Sequence, residues 1–233
     1  MKATLSNLGG DENYLAAEKL TTRNRLIATW EIVSIVSSFV VAEWVIRPFG
    51  ARENLLAGTP LVVALIAMAL SHYARGDSLR TIGWRIDNLW LALRALLLPT
   101  LGALILIAIA GWALGGFGSN KLHDWRWLVW LPVWALIQQY ALQGFINLRA
   151  QIAFGIGYHS ILVVAFVFAL LHLPNLWLAI GAFIGGLVWG KTYQRFPNLL
   201  ALSLSHALIS LMLVAALPTS VLRGLRVGIR YFA

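Results

Sequence analysis

The sequence predicts an all-α fold: a polytopic integral membrane helical bundle of about seven transmembrane helices. Three observations carry that expectation. Hydrophobic residues make up 60% of the chain and charged residues only 12%, against roughly 25% charged in soluble proteins. The apolar residues fall in long uncharged blocks, each near the 20 residues that a helix needs to cross roughly 30 Å of hydrocarbon. The blocks also lack the strict alternation of a barrel strand, and a helix satisfies its own backbone in lipid.

Residues 1–25 are polar and of mixed charge, and read as an interfacial helix with Asp11 as its cap. They hold no apolar core ahead of a small-residue cleavage site, so no cleaved signal peptide is expected. The bundle proper is 26–217. Its spans are read at 26–46, 55–73, 89–114 and 127–148, with Pro132 suited to a first helical turn. Residues 150–190 contain no Asp, Glu, Lys or Arg and are too long for one helix; Pro174-Asn175 divides them into a fifth and a sixth span. The seventh is 197–217. The loop 74–88 sets Arg75, Arg80 and Arg85 against Asp77 and Asp87. In the tail, 218–233, helical spacing puts Arg223, Arg226 and Arg230 on one face and Leu222, Leu225 and Ile229 on the next. That predicts a basic amphipathic helix lying on anionic lipid. Trp44, Trp125, Trp127 and Trp177 near span ends fit an aromatic belt.

The formal net charge of +9 points to membrane borders and not to nucleic acid. The side holding the N-terminus collects most of the 18 Lys and Arg, which favours a cytoplasmic N-terminus in a bacterial inner membrane. Cysteine is absent, excluding disulfides and thiolate metal sites.

The stretch Gln138-Gln139-Tyr140-Ala141-Leu142-Gln143-Gly144 organises the rest. A primary amide in hydrocarbon costs several kcal/mol unless it is hydrogen-bonded. Gln139, Gln143 and Asn147 recur every fourth residue and form one stripe on a helix, with Gln138 about 100° to its side. They are expected to face the protein interior. Other ionisable groups inside spans are Glu31, Glu43, Arg94, His72, His159, His172 and His206, each a functional candidate because of its cost there. Glu43 beside Arg47 reads as a border ion pair, and Glu31 as the deeper acid. Ser203 and Ser210 share a polar face with His206.

The order and spacing of these groups resemble the CAAX protease and bacteriocin-processing family of polytopic intramembrane proteases. That family's pattern is Glu-Glu-x-x-x-Arg, then Phe-x-x-x-His, then His-x-x-x-Asn or Asp. The second element stands as Phe168-Ala169-Leu170-Leu171-His172, and the third resembles His206-Ala207-Leu208-Ile209-Ser210. In the first, the two glutamates are Gln138 and Gln139 and the arginine is Gln143. The likeness covers 125–214. It implies hydrolysis of a peptide bond in a membrane-associated or prenylated substrate, with His172 as the water-activating base. His206 and Ser210 would then hold the oxyanion, and Gln138 and Gln139 would position water or the scissile amide. Gln143, Phe168 and Glu31 are candidate substrate-binding residues, and Glu31 is a candidate replacement for the missing carboxylate.

A carboxamide cannot take a proton from water. The alternative is therefore an inactive relative that binds a membrane peptide or lipid as scaffold, chaperone or regulator. Replacing two carboxylates and one arginine together yields a neutral cluster with no stranded charge. No cofactor is expected; zinc on His172, His206 and a third histidine is the one metal site considered. The expected partners are membrane lipids and a hydrophobic or prenylated peptide or membrane protein.

Overall fold

The computed structural model describes residues 5–49, 53–117 and 126–232. Among them the chain is mostly helical, with no strand. Among the described residues four helices are long and apolar enough to cross a membrane: Thr21–Ile46, Leu89–Ala113, Leu176–Arg195 and Leu199–Ala216. This is the make-up of a membrane protein.

Helix α1 runs unbroken over Leu5–Val40, so no break at Arg25 separates a surface helix from the first span, and Asp11 lies within the helix and not at its start. A π-helical turn, Val41–Ile46, ends it. Helix α2 (Glu53–Arg75) leads to α3 (Leu79–Ile82). The Ser78 side chain caps α3 by accepting from Thr81 N, and Gly83 stops it at φ 98°, a left-handed conformation that glycine adopts without strain. Helix α4 covers Leu89–Ala113.

Helix α5 (Arg126–Gln139) begins before Pro132, so that proline sits inside the helix and not in its first turn. The chain then continues through a π-helical segment, Tyr140–Asn147, into α6 (Leu148–Phe154). The predicted boundary at 148 is therefore displaced. The reversal falls at Gly155 and Gly157, whose φ angles are 85° and 119°. Helices α7 (Tyr158–Leu170), α8 (Leu176–Arg195) and α9 (Leu199–Ala216) follow. Asn175 and Asn198 cap α8 and α9, their side chains accepting from Leu178 N and Ala201 N.

Small residues let the helices approach. A Cβ built on Gly186 of α8 would lie 2.7 Å from Ala165 Cα of α7, and one on Gly111 of α4 would lie 2.6 Å from Ala216 O of α9. Such close backbone packing is how helices associate in lipid, where no hydrophobic drive separates protein from solvent. Contacts also fix the two ends of the bundle. Glu31, Arg75, Asp77 and Arg149 meet at one, while Glu43 and Arg230 meet at the other, 3.6 Å apart. Glu43 also pairs with Arg47 at 2.8 Å.

The tail departs from its expected form. It is a short α10 (Thr219–Leu222) followed by two 3-10 turns, Arg223–Leu225 and Gly228–Phe232. The Asn175 amide donates to Leu222 O (2.8 Å) and Arg226 O (3.2 Å), and Gly228 N donates to Leu173 O. These bonds fold the tail onto the turn between α7 and α8, in place of a free amphipathic helix. Trp44 and Trp177 are exposed near helix ends, as a belt requires; Trp125 lies outside the described residues.

Candidate functional site

His172 follows the last turn of α7, where the final carbonyls have no helical partner. Its Nδ1 lies 2.6 Å from Phe168 O. A carbonyl only accepts, so Nδ1–H donates and the lone pair of the neutral ring is on Nε2. His206, on α9, has its Nδ1 3.3 Å from the Gln139 amide nitrogen. The amide donates, so Nδ1 accepts and the His206 proton sits on Nε2. Both imidazoles meet Phe168 edge-on, with ring centroids at 4.6 Å for His172 and 5.7 Å for His206. Three segments thus gather Gln139, Phe168, His172 and His206. Trp189 completes the group, 4.6 Å from the His206 ring, and its indole N–H donates to Ser205 Oγ at 3.1 Å. Ser205 is in turn tied to Thr100 Oγ1 at 2.7 Å. Gln139 is fully buried, and its Oε1 has no hydrogen-bond partner among the described residues.

Other predicted residues stand apart. Gln138 and Ser210 are half-buried, and no hydrogen bond among the described residues joins either to a histidine. Ser203 bonds back to Leu199 O at 2.6 Å. Gln143 is fully buried but serves an amide ladder. The Asn147 amide donates to Gln143 Oε1 (2.7 Å), while Gln151 and Gln194 donate to Asn147 Oδ1 (2.9 and 3.0 Å). His159 is exposed, as its place at a helix start suggests.

Glu31 belongs to a second cluster at the end of the bundle. It accepts from Ser71 Oγ (2.6 Å) and from Arg75 Nη2 (2.7 Å), and Arg149 Nε lies 3.3 Å away. Arg149 is 0% exposed and also donates to Asp77 (2.8 Å) and to Ser71 Oγ (2.8 Å). Its guanidinium lies over the Phe145 ring. Two cations here face two carboxylates, so the buried charge is balanced. His72 Nδ1–H donates to Asp77 at 2.8 Å, leaving Nε2 buried and without a partner among the described residues. Burial alone raises the Asp77 carboxyl. Hydrogen bonds from His72 and Arg149 outweigh it and hold the group below the usual carboxylate range.

Sequence reading did not single out Arg149, although a signal was present: it is the one charged residue from 127 to 190. Asp77 was seen only as a loop charge, and Trp189 and Ser205 were not marked at all. Among the described residues, no three metal-ligating side chains converge.

No family model matches this chain, and neither curated proteins nor solved structures yield a match.

Proposed function

We propose that this protein is a membrane-embedded endopeptidase built on the plan of the CAAX protease and bacteriocin-processing family. It acts on a membrane-associated or prenylated peptide. The observation that carries the reading is the packing of two imidazoles against Phe168, with His172 Nδ1 on Phe168 O and His206 Nδ1 facing the Gln139 amide nitrogen; those contacts assign a lone pair to Nε2 of His172 and a proton to Nε2 of His206. A base and a hydrogen-bond donor, one in the turn after α7 and one on α9, held against one ring, are the two groups that peptide hydrolysis asks for. His172 takes a proton from water as the water oxygen attacks the carbonyl carbon. His206 donates to the oxyanion, and the proton on His172 passes to the departing amine as the C–N bond breaks.

The two ends of the bundle alternate along the chain, with Glu31 at one end, Glu43 at the other and Arg75 back at the first. This fits two successive crossings by the first two helices of a reading with about seven, and the charge count supports a cytoplasmic N-terminus in a bacterial inner membrane.

One observation favours a second reading, a relative that binds its peptide without cutting it. Glu31 is bound by Ser71, Arg75 and Arg149, and among the described residues no carboxylate is hydrogen-bonded to His172 or His206. Reconstitution with prenylated and transmembrane reporter peptides separates the two. Slow cleavage by wild type supports hydrolysis. A wild type that is inert, and becomes active as Gln138→Glu, supports the binding role.

A further inference from the structure

A cavity of about 350 Å³ opens where the 74–88 loop meets the ends of α6 and α8. Its wall carries Arg80, Arg85, Gln151, Tyr193 and Gln194, with Leu148 as an apolar side. We propose that this cavity binds a phosphate-bearing anion, foremost the headgroup of an anionic phospholipid.

Charge is the first argument. Arg80 Nη2 donates to Asp87 Oδ2 at 2.9 Å. Arg85 Nε donates to Asp87 Oδ1 at 2.7 Å, and its Nη2 reaches Oδ2. Among the described residues two guanidinium groups therefore share one carboxylate, and one positive charge is left over. Asp87 itself is not part of the cavity wall. Each guanidinium has five N–H donors in a planar fork. These contacts engage one on Arg80 and two on Arg85, so donors remain for the bidentate grip that phosphate accepts.

The wall is also set in advance. Tyr193 is fully buried, and its hydroxyl is held on Ile82 O at 2.8 Å. Gln151 and Gln194 are fixed by their bonds to Asn147 Oδ1. Arg85 keeps only 18% of its side chain exposed. Preorganisation of this kind lowers the ordering cost of binding.

Position selects the source of the phosphate. The cavity lies at the C-terminal end of α8 and, through Pro197, at the start of α9. Both helices are long and apolar enough to cross a membrane. Their ends fall at the depth of phospholipid headgroups, where basic pockets between helices take anionic lipid. The volume suits such a group, since small-molecule pockets start near 300 Å³. The reading does not depend on whether the histidine cluster cuts peptides.

The test uses the full chain, delipidated in detergent. Native mass spectrometry follows titration with phosphatidylglycerol and with phosphatidylcholine, and calorimetry follows inorganic phosphate. Phosphatidylglycerol should bind roughly tenfold tighter than phosphatidylcholine, the equivalent of one charge-assisted contact. Arg80→Gln with Arg85→Gln should abolish that preference, and Arg80→Gln alone, on an exposed side chain, should weaken it. Asp87→Asn frees the guanidinium donors and should tighten binding, a gain that misfolding cannot mimic. Arg195→Gln, at the same end but outside the wall, should match wild type. The same variant pattern with inorganic phosphate, without lipid preference, would support the site but assign it to a soluble anion. Equal binding of both lipids with no phosphate binding, a double variant that binds as wild type does, or an equal loss in Arg195→Gln would overturn the proposal.

Discussion

The Gln139 amide nitrogen lies 3.3 Å from Nδ1 of His206, joining α5 to α9 across 67 residues of sequence. Gln139 is fully buried and His206 nearly so. The bond fixes the histidine tautomer, and that in turn makes His206 Nε2 a donor. Gln139→Leu removes the bond and strands a buried imidazole nitrogen. The expected cost is about 1–3 kcal/mol, seen as a lower thermal midpoint in detergent, together with weaker cleavage if the site is hydrolytic.

Arg149 should matter more for stability than any residue of the histidine group. Arg149→Met leaves Asp77 with His72 alone and takes one cation from Glu31. The expected loss is about 3–5 kcal/mol, the usual result of stranding a buried charge. Adding Asp77→Asn to that variant should cost less than the sum of the two single changes, because the carboxylate left behind is then neutral. Chemical denaturation of the two single variants and the double variant measures the coupling.

Acid should loosen the same cluster. The Asp77 carboxyl is held below its ordinary range in the folded protein. The unfolded chain therefore binds more protons on acidification, and stability falls with pH. The contribution of Asp77 is complete above roughly pH 4 and drains away as pH drops through the depressed folded value. Thermal midpoints measured across that range should slope downward in wild type, and the slope should shrink in Asp77→Asn.

Close packing of α7 on α8 rests on a missing side chain. Gly186→Ala puts a Cβ 2.7 Å from Ala165 Cα, a backbone atom that cannot swing away. Overpacking of this kind costs about 1–3 kcal/mol. Gly181→Ala, on the same helix with open space around it, should leave the thermal midpoint unchanged.

The tail offers a proteolytic readout. Asn175→Ala removes both bonds to Leu222 O and Arg226 O. Trypsin should then cut after Arg223 and Arg226 several-fold faster than in wild type, while loss of the α8 cap costs the bundle only about 1 kcal/mol. An unchanged cutting rate would show that the tail is held by other contacts.

Composition and periodicity made the helical membrane character legible, because an uncharged block of about 20 residues has few other uses. The burial of Gln139, Gln143 and Asn147 was legible for the same reason: amides in an apolar run have nowhere else to go. Their partners were not. Gln143 and Asn147 lie in a π-helical segment, a winding that an α-helical stripe does not anticipate. Periodicity also gave Glu31 no partner, since Arg75 and Arg149 come from distant positions. The tail misled because its residues have helical spacing, while Asn175 offers its carbonyls a better arrangement than a free helix would. Ser210 matched a motif position, but a motif records spacing and not which neighbour a hydroxyl will meet.

The most direct measurement is single-turnover cleavage of a membrane reporter peptide by wild type and His172→Ala in matched proteoliposomes, each first shown to melt at the same temperature. The account predicts slow cleavage by wild type and a loss of about 100-fold or more in the variant, the usual contribution of a positioned general base. Cleavage at equal rates by both proteins would contradict it.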